Sequence, residues 1–210
     1  MPDALFPDPE TRTVVEPDCR RCPALAACRT EISWGTGPTD AAVMVVGEAP
    51  GAGDPARPLW RGGNHTGMAY TTRHSGRRIR ELFVRLGYEP YYTNAVKCFP
   101  DDGEGSNREP TARERANCRA HLERELDEVG PDVVVATGRH ATATMLAFEG
   151  RDIDGFVERV LTPERLPSLD ASLLPIFHPS YQDVWIARRG DTPEEYEAEI
   201  GETLASLTGD

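Results

Sequence analysis

Lysine is almost absent from this 210-residue chain: of its 23 basic residues only Lys97 is a lysine, against 35 acidic residues and a formal net charge of -12. So acid-rich and lysine-poor a surface stays hydrated in concentrated salt and points to a halophile, although a GC-rich genome alone also replaces lysine by arginine. Long apolar stretches are missing too. No run of eighteen apolar residues occurs, which excludes a conventional membrane-spanning helix. The opening MPDALFPDPE has neither the basic nor the apolar region of a signal peptide, so a soluble, cytoplasmic protein is expected. The length suits one domain over 1–210, with 1–18 as an N-terminal extension and 191–210 as an acidic C-terminal helix. A monomer is the default expectation.

Cysteines are few, and their number is odd. With five of them and no signal peptide, a disulfide framework is disfavoured. Cys19 and Cys22 form a C-x-x-C pair, while Cys98 and Cys118 flank the middle of the chain. Four thiolates so arranged complete a tetrahedral zinc site or the corners of a cubane iron-sulfur cluster, and spacing alone leaves both open. Cys28 is the spare and reads as a buried filler.

The acidity argues against a nucleic-acid partner, but its distribution softens the objection. Arg57, Arg61, Arg73, Arg77, Arg78, Arg80 and Arg85 lie in one stretch whose only acid is Glu81, whereas the tail from Asp191 to Asp210 holds acids alone. One face can be basic on an acidic molecule. The alternative is that these arginines belong to solvated helix faces and salt bridges.

Short apolar runs rich in β-branched or aromatic residues recur at 42–47 (AVMVVG), 91–96 (YYTNAV), 133–137 (VVVAT) and 173–177 (LLPIF), as buried parallel strands require. Between them, Ile79, Leu82, Phe83 and Leu86 mark one face of a helix over 75–86. Thr111 with Glu114 predicts a capping box, followed by Leu122, Leu126 and Val129 on the buried side, and 139–148 supplies a third helix. The expected fold is a three-layer α/β/α sandwich around a four-stranded parallel sheet, with ligands at the carboxyl ends of the strands. Polar signals fall there: Gly47-Glu48-Ala49-Pro50-Gly51 after the first strand, Thr93-Asn94 in the second, His178-Pro179-Ser180 after the fourth. A dinucleotide loop is disfavoured at the first of these, because Pro50 lacks the N–H that would face a phosphate.

GEAPG, TNAVKC, NREPT followed by a cysteine, and HPSY, in this order with C-x-x-C upstream, resemble the iron-sulfur uracil-DNA glycosylases of family 4 and its relative family 5, over roughly residues 19–190. The glutamate of GEAPG is the family 4 form. The segment from Gly63 to Gly76 is instead similar to the family 5 second motif, with two departures: Arg73 stands where that motif has a proposed catalytic aspartate, and His65 where it usually has arginine. With an acid at Glu48, the resemblance implies the family 4 manner of water activation.

Cleaving the bond between deoxyribose C1' and uracil N1 leaves negative charge on the base and positive charge on the sugar. The resemblance implies that Glu48 orients and deprotonates water, and that His178 donates to the uracil oxygen where charge develops. Asn94 would pair with the N3 and O4 edge, and Tyr70, in place of a phenylalanine, would stack on the flipped base. Gly47, Ala49 and Ser180 complete the substrate-binding set. Arg73, Arg77, Arg188 and, as a wedge, Tyr181 are the expected DNA contacts. The resemblance also favours a [4Fe-4S] cluster over zinc on Cys19, Cys22, Cys98 and Cys118. Expected partner and reaction are therefore uracil-containing DNA and base excision. Two rivals stand beside it: a broader glycosylase for deaminated bases, and an iron-sulfur nucleic-acid-binding protein that cleaves nothing.

Overall fold

The structure, a computed structural model, describes residues 5–209; the first four residues of the 1–18 segment and Asp210 of the acidic tail lie outside the described residues. Four parallel strands form the middle of one sheet: β3 (Val43–Gly47), β4 (Tyr91–Asn94), β5 (Val133–Thr137) and β7 (Ala171–Ile176). The expectation of a four-stranded parallel sheet needs correction, because the sheet is mixed and has seven strands, ordered β1-β2-β4-β3-β5-β7-β6. The additions are the antiparallel edge strands β1 (Arg12–Thr13), β2 (Gly35–Thr36) and β6 (Glu164–Leu166). Two or three residues show no alternation to read, and only pairing with a longer neighbour makes them strands.

The central strands are buried on both faces, which is why they read as continuous apolar runs. Val133, Val134 and Val135 are each wholly buried, a gain of about 1.5–3 kcal/mol per side chain over exposure. After the short helices α1 (Pro23–Cys28) and α2 (Gly63–Thr66), five longer ones among the described residues cover the sheet, and alternate side chains of its strands separate two cores. Val43, Val45, Val133, Val135, Leu174 and Ile176 meet α3 (Ser75–Leu86), α6 (Gln182–Arg189) and α7 (Pro193–Thr208) on one face. Met44, Val46, Val134, Ala136 and Leu173 meet α4 (Ala112–Val129) and α5 (Arg139–Leu146) on the other. Among the described residues, no helix is long and apolar enough to cross a membrane.

Local signals set the helix ends. Thr111 Oγ1 accepts from the Glu114 N–H at 3.2 Å and Glu114 Oε2 from the Thr111 N–H at 2.7 Å, the reciprocal cap expected from sequence. Thr192 and Glu195 repeat that cap at α7, where Glu194 and Glu195 also face the positive end of the helix dipole.

Candidate functional site

Strand register brings the polar signals together. Gly47 pairs with Asn94, and Thr137 with Ile176, across adjacent parallel strands. The residues that follow, Glu48, Gly138 and His178, therefore emerge at one end of the sheet and line a cleft of about 810 Å³. Gly47, Ala49, Tyr70, Asn94, Ser180 and Tyr181 line the same cleft.

Glu48 is half-buried, and its Oε1 is inaccessible and without a hydrogen-bond partner among the described residues. Burial pushes its carboxyl up from the ordinary range; His140 opposes that rise, Glu109 adds to it and Arg115 opposes it. The His178 imidazole is pushed down by burial and then by His140. Its Nδ1 accepts from the Ser180 backbone N–H at 3.2 Å, so the proton of the neutral ring sits on Nε2, free to donate into the cleft. An acid inclined to hold its proton and an imidazole inclined to stay neutral thus share one wall.

Asn94 is buried to 4% exposure, and among the described residues its side-chain amide makes no hydrogen bond. Gly47 must be glycine here: a Cβ would come within 2.5 Å of Asn94 Oδ1 and 2.8 Å of the Tyr70 hydroxyl. Tyr70 has left-handed backbone (φ 53), which is strained for a side chain of this size. Arg80 holds it, donating to the carbonyls of Tyr70 at 3.1 Å and Ala69 at 3.0 Å. The Tyr70 hydroxyl bonds Thr137 Oγ1 at 2.7 Å, fixing the ring against the cleft.

A second site lies beyond Ala49, which packs against both. Cys19, Cys22, Cys98 and Cys118 converge with none of them in a disulfide. Three sulfurs receive N–H donors: Cys98 from Arg29 at 3.2 Å, Cys118 from the Lys97 backbone at 3.2 Å and Cys22 from Asn117 at 3.4 Å. His121 Nε2 lies 3.4 Å from the Cys19 sulfur. Burial pushes the Cys118 thiol up to about 12 and raises Cys98 as well. Four converging sulfurs, three of them met by N–H groups, fit a cationic metal group that would share the negative charge of their thiolates. Glu16 joins Cys19 and His121 to bring three ligand atoms within 4.8 Å of one another. Cys28 stands apart, with its sulfur donating to the Leu25 and Phe99 carbonyls.

The chain's single lysine ties the two sites together. Lys97 is 1% exposed, and its Nζ donates to Glu125 Oε2 at 2.5 Å, Thr93 Oγ1 at 2.6 Å and the Asn94 carbonyl at 2.6 Å. Losing one partner of such a buried pair costs about 3–5 kcal/mol, because the other charge is left uncompensated. Composition marked Lys97 only as a rarity; its place inside was not readable from that.

The arginine-rich stretch divides. Arg57 pairs with Asp54, Arg77 with Glu81, Arg78 with Asp183 and Arg85 with Glu197, while Arg80 is buried. Arg73 is exposed and, among the described residues, makes no salt bridge. Arg188 lies over the Trp185 ring at 4.8 Å, and Tyr181 is 67% exposed with its ring tilted against His178 at 5.9 Å. His140 and Glu109 were missed in the sequence. The signal was available, since His140 follows the carboxyl end of a parallel strand as Glu48 and His178 do.

Residues 34–201 match the family profile of the uracil DNA glycosylase superfamily. The chain is 32% identical to the type-4 uracil-DNA glycosylase of Thermotoga maritima, over 78% of this chain and 77% of the relative. It is 30% identical to the type-4 enzyme of Archaeoglobus fulgidus, over 87% and 84%. Identity to the type-5 uracil-DNA glycosylase of Pyrobaculum aerophilum is 32%, over 66% and 70%. With the Glu48, Asn94 and His178 cleft at its sheet end, the chain belongs to the uracil DNA glycosylase superfamily.

Proposed function

We propose that this protein is a uracil-DNA glycosylase that starts base excision repair by flipping uracil into the cleft and hydrolysing its N-glycosidic bond. The observation that carries this reading is the meeting of Glu48, Asn94 and His178 at the carboxyl ends of β3, β4 and β7 around one cleft. Glu48 activates water below the sugar and offsets positive charge at C1'. Asn94 reads the N3 and O4 edge with its free amide, Tyr70 stacks on the base, and His178 donates from Nε2 to the departing anion. Gly47, Ala49 and Ser180 shape the pocket. Arg73, Arg77 and Arg188 contact phosphates, Arg77 exchanging its Glu81 pairing for DNA, and exposed Tyr181 wedges into the stack.

A second reading, a broader glycosylase of the type-5 kind, is favoured by the Gly63–Gly76 segment and by the similarity to a type-5 enzyme. Oligonucleotides carrying single uracil, hypoxanthine or xanthine lesions separate the readings. Release of uracil alone is expected; equal release of the purines supports the broader enzyme, and binding with no base release leaves only the non-catalytic rival.

Cys19, Cys22, Cys98 and Cys118 would hold a [4Fe-4S] cluster; four sulfurs with N–H donors suit zinc as well, and the resemblance to the iron-sulfur glycosylases favours the cluster. Bound there, the cluster supplies a cross-link between the N-terminal segment and the sheet rather than chemistry on the base. Anaerobically purified protein should be brown and bleach on cluster loss, and Cys22→Ser should destabilise the protein where Cys28→Ser is mild. A colourless, fully active preparation with stoichiometric zinc and no iron or sulfide contradicts this. We also read 1–210 as one monomeric, cytoplasmic domain, and its acid-rich surface as an adaptation to salt.

A further inference from the structure

β5 ends at Thr137, and Gly138 turns the chain with φ 92, so that the second residue of α5, His140, faces the cleft. The turn is close-packed: a Cβ on Gly138 would lie 3.1 Å from the His178 Cβ. His140 Nε2 lies 3.0 Å from Glu109 Oε1, and Nδ1 lies 3.8 Å from Glu48 Oε1, the atom otherwise buried without a partner. One imidazole therefore stands between an exposed carboxylate at the cleft rim and the half-buried carboxylate assigned to water activation. Its ring is held from a third element, since Glu109 belongs to the segment leading into α4.

We propose that His140 is a positioning residue for base excision: anchored by Glu109, it orients the Glu48 carboxylate and sets the charge environment that Glu48 and His178 share. The proposal rests on the assignment of Glu48 and His178 given above. Two reacting groups need opposite treatment in one cleft. Glu48 must carry a charge that burial opposes, and His178 must stay neutral so that its Nε2–H meets the leaving base. One imidazole lining the same cleft wall, its ring anchored by Glu109, bears on both. The charged groups facing Glu48 are His140 from α5, Glu109 from the segment before α4 and Arg115 from α4; His178 faces His140 from the end of β7. Among them His140 is the largest influence opposing the effect of burial on Glu48. Removing it sends the Glu48 carboxyl further up, so activity is lost earlier as pH falls.

Single-turnover rates against pH test this in wild type, His140→Gln, His140→Lys and Glu48→Gln. His140→Gln is expected to move the acidic limb of the profile to higher pH and to lower the neutral rate on the order of 10- to 100-fold, with DNA binding intact. The rate recovers toward wild type at high pH, where Glu48 ionises without help. His140→Lys keeps a positive charge beside Glu48 and should return the limb toward lower pH. A loss that is uniform across pH, or a profile superimposed on wild type, overturns the role of His140. If Glu48→Gln is inactive while His140→Gln matches wild type, only His140 is misassigned; if Glu48→Gln is itself fully active, the reading of Glu48 fails first.

Discussion

Glu48→Gln is expected to lower single-turnover uracil release by about a hundredfold or more while leaving DNA binding in place. The substitution keeps the shape and removes the charge. Glu48 lies at the end of β3 with Oε1 buried and unbonded, so no hydrogen-bond network is broken when that oxygen changes. In the role proposed for Glu48, what disappears is the base that takes the water proton and the negative charge that faces C1' as the bond stretches. Because both act on the reacting atoms rather than on the DNA backbone, the loss belongs in the chemical step. Wild-type rates in this variant would move water activation to another residue.

His178→Ala should cost about 2–4 kcal/mol in the chemical step with little weakening of DNA binding, the size typical of deleting one donor to a developing anion. The Ser180 N–H occupies Nδ1 and so leaves Nε2 as the donor. The uracil oxygen carries enough charge to reward that donor only once the glycosidic bond is breaking, so the interaction strengthens in the transition state. Burial and His140 both disfavour the charged ring, and a neutral donor gains less from an uncharged base than from the anion that forms as the bond breaks. If His178→Ala cleaved at the parental rate but bound uracil DNA far more weakly, His178 would be a ground-state contact.

The parts of this architecture that follow one-dimensional rules were legible in the sequence. The four central strands announced themselves as β-branched runs because both their faces are buried, and the Thr111–Glu114 cap because it is local chemistry three residues apart. β1, β2 and β6 were not, since strands of two or three residues exist only through their partners. Charge counting misled at Arg80, which turns inward to hold Tyr70 and lies 4.1 Å over the Tyr92 ring. Glu48, Asn94 and His178 lie far apart in the chain and were joined by the rule that ligands sit at strand ends. His140 obeys the same rule at the end of β5, but its meaning depends on Glu109 and Glu48, which only the folded chain brings within reach.

The central claim is that this cleft breaks the bond between uracil and deoxyribose in DNA. It is tested most directly by mixing excess protein with a strand carrying one uracil, then counting free uracil and abasic sites together, with a cytosine strand as control. One uracil and one abasic site per strand are expected, and neither from cytosine. Tight binding of the uracil strand with the base still attached would contradict it.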